Sequence, residues 1–248
     1  MPNYQLLNKS QHINLRVATQ YSEELGYNVG AVMLMDTEVL AAQREYAIVF
    51  RKHAETGKFF PNVLLGFKQD ENLYLDGSGI WCADHIPLSI AKGPFIIGFQ
   101  DIGNGPQPSV CIDLDDPRVS MNGVGETLFE SDGKLSRYTN YISQLLLLLH
   151  KSTDSVVRMV ELFVELDLIE PLRLDIKFDN GEQLIFQGGY TIAEEKLAGL
   201  TAEPLKKLHD SGFLSAAYYI SGSIQNVSKL IEKKNKLFQQ ELIFKFNE

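Results

Sequence analysis

The spacing of hydrophobic positions along this chain changes period once. Up to about Gly133 the apolar residues come in short runs separated by Gly, Pro, Asp and Asn: Gly30 to Met35, Tyr46 to Phe50, Val63 to Phe67, Leu73 to Leu75, Ile80 to Cys82, Phe95 to Phe99 and Val110 to Ile112. Aromatic and β-branched runs between turn-forming residues predict antiparallel strands with tight connections. His12 to Val17 alternates as a short first strand, and Tyr21 to Leu25 reads as one helical turn stopped by Gly26. Asp36 or Thr37 caps a short helix through Arg44. Asp76-Gly77-Ser78-Gly79 predicts a turn joining Asn72–Leu75 to Ile80–Ala83 as a hairpin, because glycine accepts positive φ and Asp caps its own backbone. Gly103 to Pro108 predicts a loop, since its prolines and glycines cannot continue a strand interior.

From Leu135 the period lengthens to that of a helix. Leu135, Tyr138, Ile142, Leu145, Leu146 and Leu149 share one stripe. A second helix is expected to start at Ser152, Thr153 or Asp154 and to run to Glu170, where Pro171 stops it; the two should form an antiparallel pair. Leu172–Phe178 and Glu182–Phe186 flank Asp179-Asn180-Gly181, the strongest short hairpin signal present. Thr191 to Glu194 matches a capping box for a helix through Leu200, and Thr201 starts another that ends at Ser211-Gly212. Phe213–Ile220 fits helix or strand, Ile224–Leu237 fits helix, and the final ELIFKF fits either.

These elements predict an α+β fold. A β-rich N-terminal half (1–133) with antiparallel hairpins is followed by a helix-rich C-terminal half (134–248) that carries one further hairpin at 172–186, the two packed as one integrated unit. At 248 residues, 44% hydrophobic and 22% charged, the chain can bury a sizeable core. Its net charge of −9 argues against nucleic acid, whose phosphates need clustered Lys and Arg. Cys82 and Cys111 alone make no disulfide framework. The N-terminus lacks the basic start and apolar run of a secretory signal. The Leu145–Leu149 run is far short of the ~20 apolar residues that span a bilayer. The chain reads as cytoplasmic when synthesised and not inserted in a membrane, with signal-less export to the cell surface left open.

Asp84-His85 is the best candidate for catalysis, because a carboxylate can orient an imidazole and the nearby Trp81 can wall a ligand. Trp81, Tyr74 and Lys92 form the candidate ligand-binding set. Against this stands the ordinary reading of Asp84 and His85 as solvent-facing residues at a strand end. Asp113, Asp115 and Asp116 could surround a hard cation, but Asp-Leu-Asp-Asp-Pro lacks the glycine and distal Glu of a calcium loop, which favours an acidic turn. The remaining histidines are scattered, no nucleophile elbow or phosphate loop is present, and no cofactor is implied.

Taken together, Phe60-Pro61, Leu64-Leu65-Gly66, Asn72-Leu73-Tyr74, Gly79, Trp81, Ile86-Pro87 and Pro94-Phe95, then Gly125 to Phe129 with Gly133, Gly188 to Ile192, Leu197, Leu200, Leu205, Leu208, Gly212 to Leu214, Tyr218 and Ser223-Ile224 resemble the bacterial SapC family of surface-layer-associated proteins. The resemblance runs from about Tyr46 to Lys233. The family has a basic, aromatic segment ahead of the Pro-Phe pair. This chain reads Ala91-Lys92-Gly93 there, which weakens an anion site at that place. The resemblance implies an accessory role in a surface layer, secretion or uptake, with a protein or peptide partner, and carries over no catalytic residues. Family members are often encoded near outer-membrane receptors and halogenase-like flavoproteins. The alternative is therefore an enzyme or small-ligand binder built on Trp81, Asp84 and His85 beside such a flavoprotein.

Overall fold

A computed structural model describes residues 2–101, 103, 105–121 and 123–246, the side chains of 244–246 excepted. In chain order its elements begin β1 (Tyr4–Leu6), α1 (Lys9–His12), β2 (Arg16–Val17), β3 (Ala31–Met33), α2 (Val39–Ala42), β4 (Ile48–Lys52) and β5 (Phe59–Leu64). There follow α3 (Leu88–Ala91), β6 (Phe95–Asp101), β7 (Pro106–Asp113), β8 (Val119–Ser120), β9 (Glu126–Thr127) and α4 (Arg137–Glu165). The C-terminal part holds β10 (Ile169–Lys177), β11 (Gln183–Ile192), α5 (Glu194–Ala198), α6 (Ala202–Asp210), α7 (Leu214–Ser223) and α8 (Val227–Phe246). The fold is α+β, with 38% helix and 26% strand, strands concentrated early and helices late. No helix among the described residues is long and apolar enough to cross a membrane.

The chain forms two compact units that interleave along the sequence. The first comprises Met1–Asn28, Leu75–Cys82 and Leu88–Asp154, the second Val29–Tyr74, Ala83–Pro87 and Ser155–Glu248. In the first, β1, β7 and β6 form one antiparallel sheet and β8, β2 and β9 another. Leu15, Val17, Phe95, Ile112, Leu128, Phe129, Ile142 and Leu146 make its buried core. In the second, the sheet order is β10-β11-β4-β5-β3, antiparallel throughout. Tyr46, Ile48, Phe50, Leu64, Leu65 and Phe163 are fully buried there.

Several expected elements changed on folding. The helix pair is one 29-residue helix, α4. Ser152 is buried rather than capping, and the Thr153 hydroxyl donates back to the Leu149 carbonyl, a bond made inside a continuing helix. Pro171 does not end a helix; it lies in β10, an edge strand, where its missing N–H costs nothing in the ladder. The 72–83 hairpin reduces to a single bridge, Leu75 to Trp81. Between them the Asp76 carboxylate accepts from the Ser78 and Ile80 N–H groups, so a side chain takes the place of a ladder. Strand β7 begins inside the expected loop, at Pro106. Val110 turns its carbonyl towards Leu7, so Pro106 and Pro108, of the same parity, put their nitrogens on the open side beyond β1. His12 closes α1 rather than opening a strand, and only Arg16–Val17 is extended. Thr191 is in β11, and Ala193, which makes no side-chain cap, precedes α5. The hairpin at 179–181 forms as expected, with Gly181 at φ 90°, where a Cβ would be strained. Phe213–Ile220 resolves as α7, and the C-terminal ELIFKF continues α8.

Candidate functional site

The segment before α2 is a single 3-10 turn, Asp36–Glu38. It brings Glu38, 4% exposed, into reach of both its own backbone and a segment 47 residues away. One Glu38 oxygen, Oε2, accepts the Met35 N–H at 3.0 Å; the other, Oε1, faces His85 Nε2 at 3.0 Å. After α2, Glu45 turns its carboxylate to the same segment and accepts the Asp84 N–H (3.1 and 3.0 Å) and the His85 N–H (3.1 Å). The Tyr46 hydroxyl donates to the His85 carbonyl. Tyr74, fully buried, donates its hydroxyl to the Glu45 carbonyl at 3.0 Å and packs its ring 4.6 Å from that of Tyr46. Burial followed by the Glu45 charge pushes the Tyr74 phenol well above its ordinary range. Asn226 ties the loop ahead of β4 by donating to the Gln43 (2.8 Å) and Tyr46 (3.0 Å) carbonyls.

The expected Asp84–His85 dyad is thus replaced by Glu38–His85. Asp84 contributes its N–H and points its carboxylate to solvent. The His85 side chain is 20% exposed, and among the described residues no hydroxyl or thiol hydrogen-bonds to its ring. The arrangement orients an imidazole and fastens a loop, but it supplies no activated nucleophile.

A second polar cluster lies wholly in the first unit. Arg118 makes a two-point pair with Asp116, Nε at 2.7 Å and Nη2 at 2.5 Å, and its guanidinium lies 4.9 Å from the Tyr27 ring centre. Burial would raise the Asp116 carboxyl, but the hydrogen bonds and charge of Arg118 outweigh it and hold the group below its ordinary value. Lys92 donates to the Phe95 carbonyl at 3.3 Å, and burial, then the Arg118 charge, lowers its ammonium. Tyr21 bridges Tyr27 (5.0 Å) and Trp81 (5.5 Å), and burial pushes its phenol up to about 12. Trp81 and Lys92 therefore belong to the first unit, while Tyr74, Asp84 and His85 belong to the second.

The three aspartates do not converge. Asp113 accepts the Asn3 and Asp115 N–H groups, Asp115 accepts from the Asn3 amide, and Asp116 is taken by Arg118. Among the described residues no three His, Cys, Asp or Glu side chains stand close enough together to hold a metal ion. Glu38, Glu45, Tyr46 and Arg118 did not emerge from sequence reading. The only hint was the acidic start of the short helix at Asp36-Thr37-Glu38, which reads as a cap.

The model of one protein family matches residues 7–230, and that family is SapC. The chain belongs to the SapC family. No curated protein and no solved structure matches it. Trp81, His85, Glu38 and Arg118 all lie within the matched stretch of this SapC chain.

Proposed function

We propose that this SapC-family protein is a non-catalytic accessory protein that binds a partner protein or peptide in a bacterial surface-layer, secretion or uptake system. The observation that supports this most is the use made of its best catalytic candidate. Both Glu38 oxygens and both Glu45 oxygens are spent on Met35, Asp84 and His85, so the His85 site works as a latch for the 83–87 loop. Carboxylates that accept several N–H groups stabilise a backbone conformation, and this use commits both glutamates to holding the loop.

The competing reading keeps Glu38–His85 as an acid–base pair, with the protein acting on a small ligand beside a halogenase-like flavoprotein. It draws on His85 Nδ1, the ring nitrogen that faces away from Glu38 and that no other described residue engages. Two measurements on one preparation separate these readings. Gentle isolation of the native chain followed by mass spectrometry is expected to yield a stoichiometric protein partner. His85→Ala, which takes the imidazole away from Oε1 of buried Glu38, is expected to cost about 1–3 kcal/mol of stability while sparing that partner. A chain isolated with a small molecule in place of a protein, lost from His85→Ala at an unchanged melting temperature, would establish the competing reading.

A further inference from the structure

The hairpin β10–β11 carries two edges that are built differently. The β10 edge holds Glu170, Pro171, Arg173, Asp175 and Lys177, the charges and proline that blunt an edge against pairing. In the first unit, the open stretch of β7 is likewise blunted by Pro106 and Pro108. The other edge of the hairpin has neither device. β11 meets β4 only at Tyr190, opposite Phe50, and among the described residues no other strand pairs with Gln183–Gln187 on that side. The sequence there, Gln183-Leu184-Ile185-Phe186-Gln187, has no charge, proline or glycine, in a chain of net charge −9.

The parity of this stretch is fixed by its neighbour. Phe178 donates to the Glu182 carbonyl, and Leu184 and Phe186, in the same phase, pair with Ile176 and Leu174. Their N–H and C=O groups are therefore spent on β10, and those of Gln183 and Ile185 point to the open side, with Gln187 next to the register shift that follows Phe186. All three residues are exposed, Ile185 by 50%. The five residues also read alike from both ends in chemical character: Gln at each end, a large apolar side chain inside each, and Ile185 at the centre.

We infer that the Gln183–Gln187 edge of β11 pairs antiparallel with the same edge of a second copy of this chain about a two-fold axis at Ile185. The symmetry and the hydrogen-bond phase agree. A two-fold on Ile185 sets it opposite its own copy as a hydrogen-bonded pair, sets Gln183 opposite Gln187, and places no like charges face to face. Had the free groups belonged to Leu184 and Phe186, the same axis would have met spent donors. The paired Ile185 side chains add an apolar contact on the exposed face. The inference is independent of the accessory role and uses none of its residues.

The test is the mass of the full chain by sedimentation across a concentration series. The native chain is expected to form a dimer, and Ile185→Lys, which sets two ammonium groups opposite each other, is expected to raise the dimer dissociation constant about 100-fold or more. Because Ile185 is half exposed, an unchanged melting temperature of the diluted monomer shows that the variant folds. A positive readout fixes the register. With Cys82 and Cys111 replaced by Ser, Ile185→Cys should cross-link to itself under mild oxidation, since Cα atoms of such a pair lie about 5.5 Å apart. Gln183→Cys should cross-link only when mixed with Gln187→Cys. A native chain that stays monomeric throughout, or a dimer that Ile185→Lys leaves intact, overturns the inference.

Discussion

In the second unit Glu45 holds a loop by accepting its main-chain N–H groups and Glu38 meets that loop through the His85 ring, whereas in the first unit a carboxylate and a guanidinium hold each other. Glu38 accepts the Met35 main-chain N–H and Glu45 those of Asp84 and His85, so each is bound to a segment of chain. Asp116 finds a full charge, Arg118, two residues away, and that pair sits against Tyr27 with Lys92 as an additional cation nearby. The difference lies in what is lost when one member is removed. Removing a glutamate frees a loop. Removing Arg118 leaves a poorly hydrated charge without its paired guanidinium, which is the more expensive of the two.

The largest effect is accordingly expected at Arg118. Arg118→Ala should destabilise the protein by about 2–4 kcal/mol in chemical denaturation, because Asp116 is only 12% exposed and loses the guanidinium paired with its charge. The combined change Arg118→Met with Asp116→Leu should recover most of that loss, since an apolar pair of similar volume carries no desolvation cost. Equal destabilisation by the single and double changes would show that the Tyr27 contact, and not the ion pair, is what matters. A smaller loss, about 1–3 kcal/mol, is expected for Glu45→Ala, which strips the acceptor from two N–H groups of a loop that solvent partly reaches. Faster proteolysis or amide exchange confined to 83–87 would distinguish a released loop from general destabilisation.

The smallest effect is one of pH, and it sharpens the same contrast. Arg118 depresses the Asp116 carboxyl below its ordinary value of 3.8, so the unfolded chain binds this proton more readily than the folded one. The stabilisation is fully present above that value and is lost as pH falls through the lowered one. Denaturation free energies measured down the acid limb should carry this step in the native protein and show it reduced in Arg118→Ala. An acid limb unchanged in that variant would place the pH sensitivity elsewhere.

Much of the architecture was legible because it rests on local chemistry. Asp179-Asn180-Gly181 announced its hairpin through a glycine at positive φ, and the Leu135–Leu149 stripe announced a helix through its period. The misreadings share a cause. Ser152, Thr153, Asp154, Pro171 and Thr191 are punctuation residues whose meaning depends on whether their polar groups find partners elsewhere. Thr153 found the Leu149 carbonyl, and Pro171 found an edge. At the candidate site the same limit applied with more force. Asp84 and His85 were visible as neighbours in sequence, but the groups that bind them, Glu38, Glu45 and Tyr46, come from some forty residues earlier.

What the sequence alone determined was the set of local conformations and the family: periods of two and then three and a half, turns with their glycines, and the ordered residues by which the chain is placed in SapC. Those follow from backbone sterics and from apolar spacing, which act between near neighbours. Only tertiary structure decided which carboxylate meets His85, that Asp116 is claimed by Arg118, that one long helix replaces two, and that Gln183–Gln187 has no second partner strand among the described residues. Hydrogen bonds and ion pairs form between whatever groups the packing brings within reach, and side chains far apart in sequence carry no local mark of the partner they will find.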